Sequence, residues 1–269
     1  MPTIDVNGTT LAYDDRGPRD GVPVLLSHSL FFDRRMFTAL AERLGEDLRV
    51  VAYDHRGQGE SAPAPLEELS MDVLTEDAAA LIRALGLAPA HVVGNSMGGF
   101  VALRLAARHP DLVRTVTALG SSAEEEHQLA AFAPLVEHLQ AHGAADVVDT
   151  VLHIMFGDTT LAGEPELCAH WREVIAGLPP AIGDAAHQVI HRERIVEELA
   201  GTTVPVLAVA GAEDHAYPQP ISGRTIAQAT GGREVTVAGA GHSVALEQPD
   251  EVAGHLARLF AEHLAPAAT

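Results

Sequence analysis

The chain has 269 residues, 47% of them hydrophobic and 20% charged, and a formal net charge of −20. That acidity excludes a phosphate-reading surface for nucleic acid, which needs clustered cations, and no apolar run approaches the roughly 20 residues that span a bilayer. All 17 basic residues are arginine, so Schiff-base lysine chemistry and a Walker-type phosphate lysine are absent.

In chain order, Thr3–Val6 and Thr9–Tyr13 alternate apolar and polar residues about Asn7-Gly8, which predicts a hairpin. Short apolar runs follow at Val22–Ser27, Arg49–Tyr53, His91–Gly94, Val113–Leu119, Val204–Ala210 and Arg233–Ala238. Most lack clean alternation, as parallel strands covered on both faces do. Helix-period stretches fall between them at Arg34–Leu44, Ser70–Leu85, Phe100–Arg108 and Pro249–Leu264. Ser70 reads as an N-cap, Pro110 as a stop and Pro249 as a start. The alternation predicts an α/β fold, an open and mostly parallel sheet with helices on both faces. Ser122–Thr202 breaks the rhythm, because Glu124–His142, Ala145–Phe156, Glu166–Leu178 and Ala181–Leu199 read as helices with no strand between them. That insertion is expected to lie over the sheet as a lid.

The polar start, MPTIDVNGTT, does not read as a signal peptide. The single cysteine, Cys168, excludes an internal disulfide and fits a reducing compartment. A cytoplasmic location is expected.

Chemistry concentrates in HVVGNSMGGF, residues 91–100. A strand runs into Gly94-Asn95-Ser96-Met97-Gly98 and a helix follows, the pattern of a nucleophile elbow that holds one hydroxyl clear of the sheet. A serine hydroxyl needs a base, and the base a carboxylate to orient it. Asp214 follows the strand Val204–Ala210, and His242 follows Arg233–Ala238, so both would project from the carboxyl ends of strands, where open α/β sheets place their sites. The order Ser96, Asp214, His242 suits such an elbow. Glu213 is the rival acid.

On these residues the chain resembles the α/β-hydrolase superfamily over nearly its whole length. Asp54-His55-Arg56-Gly57-Gln58-Gly59-Glu60-Ser61 and Glu247-Gln248-Pro249 match further motifs of that superfamily. The resemblance implies an α/β-hydrolase fold, an eight-stranded mostly parallel sheet, with 1–121 and 203–269 as core and 122–202 as the helical lid, or cap. It gives Asp54 a mainly structural role and the backbone amides of Leu30 and Met97 the oxyanion hole. Ser27-His28-Ser29-Leu30-Phe31-Phe32 has Ser29 where many relatives carry glycine, and in this it is similar to 3-oxoadipate enol-lactone hydrolases. Meta-cleavage-product hydrolases, which break carbon–carbon bonds, share Gly-Asn-Ser-Met-Gly-Gly but usually carry glycine and tryptophan where this chain has Ser29 and Ser243. Cofactor-free haloperoxidases share the same triad, and some receptors of this fold retain a vestigial one.

A small-molecule ester or lactone is therefore the expected substrate, with no cofactor, no nucleic acid and no membrane partner. Ser29, Phe31, Phe32, Phe132, Phe156 and Trp171 are candidate pocket residues. The lid also holds seven histidines: His127, His138, His142, His153, His170, His187 and His191. His138/His142 and His187/His191 have metal-compatible spacing on a helix, but neither pair has a third ligand in sequence, so no metal is expected. Most are expected to be solvated, with one or two facing substrate.

Overall fold

The computed structural model describes residues 2–264. Its eight strands are β1 (Thr3–Val6), β2 (Thr9–Arg16), β3 (Val22–Ser27), β4 (Leu48–Tyr53), β5 (Ala90–Asn95), β6 (Val113–Leu119), β7 (Val206–Gly211) and β8 (Arg233–Val237). They form one sheet in the order β1-β2-β4-β3-β5-β6-β7-β8. Strand β2 runs antiparallel to both neighbours, and every other pairing is parallel. The β1–β2 hairpin turns through Asn7 (φ 45) and Gly8 (φ 75). Two successive positive φ values match the right-handed twist of the strands they join. All six residues of β5 and of β7 are buried, which is why neither run alternates.

The helices are α1 (Thr38–Ala41), α2 (Met71–Leu85), α3 (Met97–Arg108), α4 (Leu129–His142), α5 (Val148–Met155), α6 (Asp158–Gly163), α7 (Pro165–Ala176), α8 (Ala181–Ile190), α9 (Val196–Leu199), α10 (Arg224–Thr230), α11 (Val244–Glu247) and α12 (Pro249–Glu262). The Ser70 hydroxyl accepts the Val73 amide at 3.2 Å to start α2, and Gly86 at φ 65 ends it. Helices α4 to α9 all lie between β6 and β7. Among the described residues no helix is long and apolar enough to cross a membrane.

The expected helix Arg34–Leu44 is reduced to a 3-10 turn, Arg34–Phe37, and α1. Two expected helices of the inserted segment are also shorter than the sequence suggests, for one shared reason. Before α4, the Glu126 carboxylate takes the Gln128 amide at 2.8 Å and the Ser122 hydroxyl takes the Glu124 amide at 3.0 Å. Such local bonds compete with helix bonding. After α8, Arg192 turns inward to a buried ion pair with Glu126 at 3.0 Å, its guanidinium 4.2 Å from the centre of the Phe100 ring. One buried pair thus breaks both helical patterns and ties the inserted segment to α3.

The Asp54–Ser61 segment is a folding device. Asp54 pairs with the buried Arg34 and accepts the Arg34 and Glu60 amides at 2.8 and 2.9 Å. A side chain at Gly59 would lie 2.4 Å from that carboxylate. Ser61 donates to the Asp54 carbonyl at 2.6 Å and accepts the Ala12 amide, closing the loop onto β2.

Candidate active site

Ser96 sits between the last residue of β5 and the first of α3, at φ 50 and ψ −114. Residues other than glycine seldom occupy positive φ, and they stay there only where the surroundings over-determine them. Here the Ser96 amide donates to the Leu119 carbonyl at 2.8 Å, and its carbonyl accepts the Gly99 amide at 2.8 Å and the Ser121 hydroxyl at 3.0 Å. A Cβ at Gly94 would stand 2.1 Å from the Gly98 carbonyl oxygen, and one at Gly98 would stand 1.9 Å from that of Ser27. The glycines around Ser96 are there for close backbone approach.

The structure brings Ser96, His242 and Asp214 together. His242 Nε2 lies 2.7 Å from Ser96 Oγ, and its Nδ1 lies 3.0 and 3.1 Å from the two Asp214 oxygens. Asp214 Oδ1 also accepts the Ala216 and Tyr217 amides, each at 2.8 Å, which anchors the carboxylate. A carboxylate can only accept, so Nδ1 carries the imidazole proton and Nε2 keeps a lone pair toward the serine hydroxyl. Glu213 turns the other way. It takes the Thr159 amide and hydroxyl at 2.7 and 2.6 Å, and those bonds hold its carboxyl below the usual range.

Two residues brace this geometry without touching the serine hydroxyl. Asn95 Nδ2 donates to the His242 carbonyl at 2.9 Å. Glu247 accepts the Gly241 and Ser243 amides, on either side of His242, at 3.0 and 3.1 Å. Its second oxygen accepts the Gly157 amide and the Thr160 hydroxyl at 2.8 and 2.6 Å, tying the His242 loop to the start of α6. Burial still pushes the Glu247 carboxyl upward, against those four donors. In sequence, Asn95 was visible only as a variable position of the serine motif and Glu247 only as part of a terminal motif.

An apolar cavity opens beside Ser96 and His242. Leu30, Phe31 and Phe132 line it, together with Leu135, Ile154 and Val189. Tyr217, which also lines it, stands edge-on to His242 at 5.2 Å and gives its hydroxyl to Glu126 at 2.7 Å. Four expected pocket residues lie elsewhere. Phe31 adopts φ 70 and faces the cavity, while Phe32 packs edge-on against Phe156 and Trp171 at 6.0 and 4.7 Å. Those three rings fill core, because a large apolar surface is better covered than left lining a void. Ser29 is buried with its amide on Met36 Sδ at 3.3 Å. None of the seven lid histidines lines the cavity, contrary to expectation.

Residues 24–255 match the alpha/beta hydrolase family. The chain belongs to that family. This α/β hydrolase is 29% identical over 250 residues to 3-oxoadipate enol-lactonase 1 of Acinetobacter baylyi, covering 91% of this chain and 90% of the relative. It superimposes with a TM-score of 0.89 on the enol-lactonase of Burkholderia xenovorans, at 29% identity, covering 97% of this chain and 100% of that one. The malate-bound thermophilic esterase of Thermogutta terrifontis matches with the same TM-score, 0.89, at 25% identity, covering 98% and 100% of the two chains.

Buried histidines set the acid response of the hydrolase. His28 Nε2 accepts the His55 amide at 2.9 Å, so its Nδ1 donates to the Ser29 carbonyl at 2.8 Å. Burial holds His28 below the usual imidazole range and His55 well below it, and pushes His91 down to about 3. Each is therefore neutral when folded, whereas in the unfolded chain each takes up a proton near pH 6.5. The unfolded state binds more protons below that value, so stability is present above about pH 6.5 and is lost as pH falls toward the folded values. Glu247, raised by burial, acts in the opposite sense but is one group against three. The expected slope between pH 6 and 5 is about 1.4 kcal/mol per unit for each histidine fully in its window. Urea midpoints measured at those two pH values check it, and an unchanged or higher midpoint at pH 5 would contradict the assignment.

Proposed function

We propose that the protein is a serine hydrolase of carboxylic esters or lactones. The observation that carries this reading is the hydrogen-bonded series Asp214, His242, Ser96 at the carboxyl edge of the sheet, opening on an apolar cavity. His242 Nε2 takes the Ser96 proton as Oγ attacks the carbonyl carbon. Asp214 holds the imidazole and stabilises its cation. The amides of Leu30 and Met97 receive the oxyanion. Met97 opens α3, whose first-turn amides have no carbonyl one turn earlier, and Leu30 lines the cavity. The imidazolium then gives its proton to the departing alkoxide. Water, deprotonated by His242, releases the acid from Ser96.

The lactonase and esterase names among the relatives support the substrate class. No cationic side chain is among the residues lining the cavity, which favours an uncharged, apolar acyl group over one with a free carboxylate. The α4–α9 segment acts as the lid, supplying Phe132, Leu135, Ile154 and Val189 to the wall.

The test is a hydrolysis panel of short and long aryl esters, γ- and macrocyclic lactones and a dienone ring-cleavage product, with fluorophosphonate labelling of Ser96. Uncharged esters and lactones should turn over and Ser96 should label. Turnover of the dienone alone would instead favour carbon–carbon hydrolysis, and failure of the folded protein to label would favour a binding module.

Glu247→Gln separates positioning from chemistry. The amide keeps one acceptor oxygen and turns a donor toward two of the four present donors. Stability should fall by about 2–3 kcal/mol, the scale of leaving buried donors unmet. The kcat should fall about tenfold with little change in KM, as the His242 loop loses its bracing. Thermal melts and steady-state kinetics measure both, and an unchanged kcat would remove Glu247 from the positioning apparatus.

A further inference from the structure

We propose that His153, Asp158 and His215 form a divalent transition-metal site where the inserted helices meet the loop that carries Asp214. The three come from α5, the start of α6 and the segment after β7, and one ligand atom from each lies within 4.8 Å of the others. His215 Nε2 is 3.2 Å from Asp158 Oδ1. The His153 and His215 rings lie 4.3 Å apart and 30° from parallel, and one nitrogen of each lies within 4.8 Å of a carboxylate oxygen of Asp158.

Two nitrogens and one oxygen suit zinc, cobalt, nickel or copper and do not suit magnesium or calcium, which prefer oxygen alone. Tetrahedral zinc with bonds of about 2.0–2.1 Å spaces its ligand atoms by roughly 3.3 Å. His153 and Asp158 are exposed, so side-chain torsions are available to close the gap to the present spacing. Exposure also leaves coordination positions for water.

The backbone beneath these side chains is already held. Glu247 fixes Gly157 and Thr160, and Glu213 fixes Thr159, so the turn presenting Asp158 is anchored on both sides. His215 lies between Asp214 and Ala216, whose amide is bound by the Asp214 carboxylate. A second carboxylate, Glu213, stands next to this loop and adds negative charge, as does the chain's net charge of −20. Helical i, i+4 spacing cannot reveal such a site, because its ligands belong to three separate elements. An occupying ion would join α5 and α6 to the acid-bearing loop, making motion of the lid depend on metal.

The experiment uses the full chain, stripped with a chelator and titrated with Zn²⁺ by calorimetry and with Co²⁺ by visible absorption. One equivalent should bind below millimolar concentration, with ligand-field bands of low-coordinate, nitrogen-ligated cobalt. His153→Ala, Asp158→Asn and His215→Ala should each weaken binding at least about tenfold. A His138→Ala/His187→Ala variant should bind as the wild type does. At one fixed Zn²⁺ concentration the melting temperature of the wild type should rise, by linkage, and that of His153→Ala should rise by clearly less. Absence of a saturable site, equal binding by the three ligand variants, or loss of binding in the control variant would each overturn the proposal.

Discussion

Ser96→Ala is expected to lower kcat by about 10⁴- to 10⁶-fold on any ester the wild type hydrolyses, because in the proposed mechanism Ser96 is the nucleophile that His242 and Asp214 serve. The fold should survive. The Ser96 hydroxyl makes its side-chain hydrogen bond to His242 Nε2, whereas the strained turn is held by the backbone bonds to Leu119 and Gly99 and by Ser121. Alanine meets the same positive-φ cost as serine, so the melting temperature should move by no more than a few degrees. Single-turnover kinetics with an aryl ester should lose the burst of released alcohol. The double variant Ser96→Ala/His242→Ala should be no slower than Ser96→Ala, because residues acting as one unit are not additive. A Ser96→Ala protein that keeps a tenth of the wild-type rate would sink the mechanism.

Much of the fold was legible because its determinants are local. The Asn7-Gly8 turn, the uninterrupted runs of β3, β5 and β7 and the proline at the start of α12 each act within a few residues. The inserted segment was harder to read, since its helix ends depend on Arg192 meeting Glu126 across 66 positions. Helix α6 went unseen because Asp158-Thr159-Thr160 is a poor helix former, held in place by Glu213 and Glu247 from outside the segment. The pocket was read only in part. Aromatic identity cannot separate Phe31 from Phe32, and the left-handed backbone at Phe31 sends the two rings to different places. Ser96, Asp214 and His242 could be nominated because each sits just past a strand in a fixed order. Asn95 and Glu247 act through main-chain groups near His242, and composition carries no trace of that.

Gly98→Ala is the substitution expected to cost most stability. The added methyl would lie 1.9 Å from Ser27 O, 2.4 Å from Ser27 C and 2.8 Å from His28 O, all of them backbone. No side-chain torsion relieves that contact. Either α3 or the end of β3 must move, and the cost should exceed the about 1–3 kcal/mol usual for overpacking. A drop of about 10 °C or more in melting temperature follows for a chain of this size, or failure to accumulate soluble protein. Gly99→Ala is the internal control. Its methyl would meet Ser121 Cβ and Oγ at 2.5 Å and the Gly94 carbonyl only at 3.1 Å, so adding Ser121→Gly should recover part of the loss even though the bond to the Ser96 carbonyl goes with it. No such rescue is available at position 98, because the obstacle is main chain. That contact lies one residue from Met97 and two from Leu30, the pair whose amides the proposed mechanism gives the oxyanion. Any Gly98→Ala protein that folds should therefore show a kcat loss that persists well below its melting temperature. Wild-type kcat together with wild-type stability would mean that this close approach is not what the glycine provides.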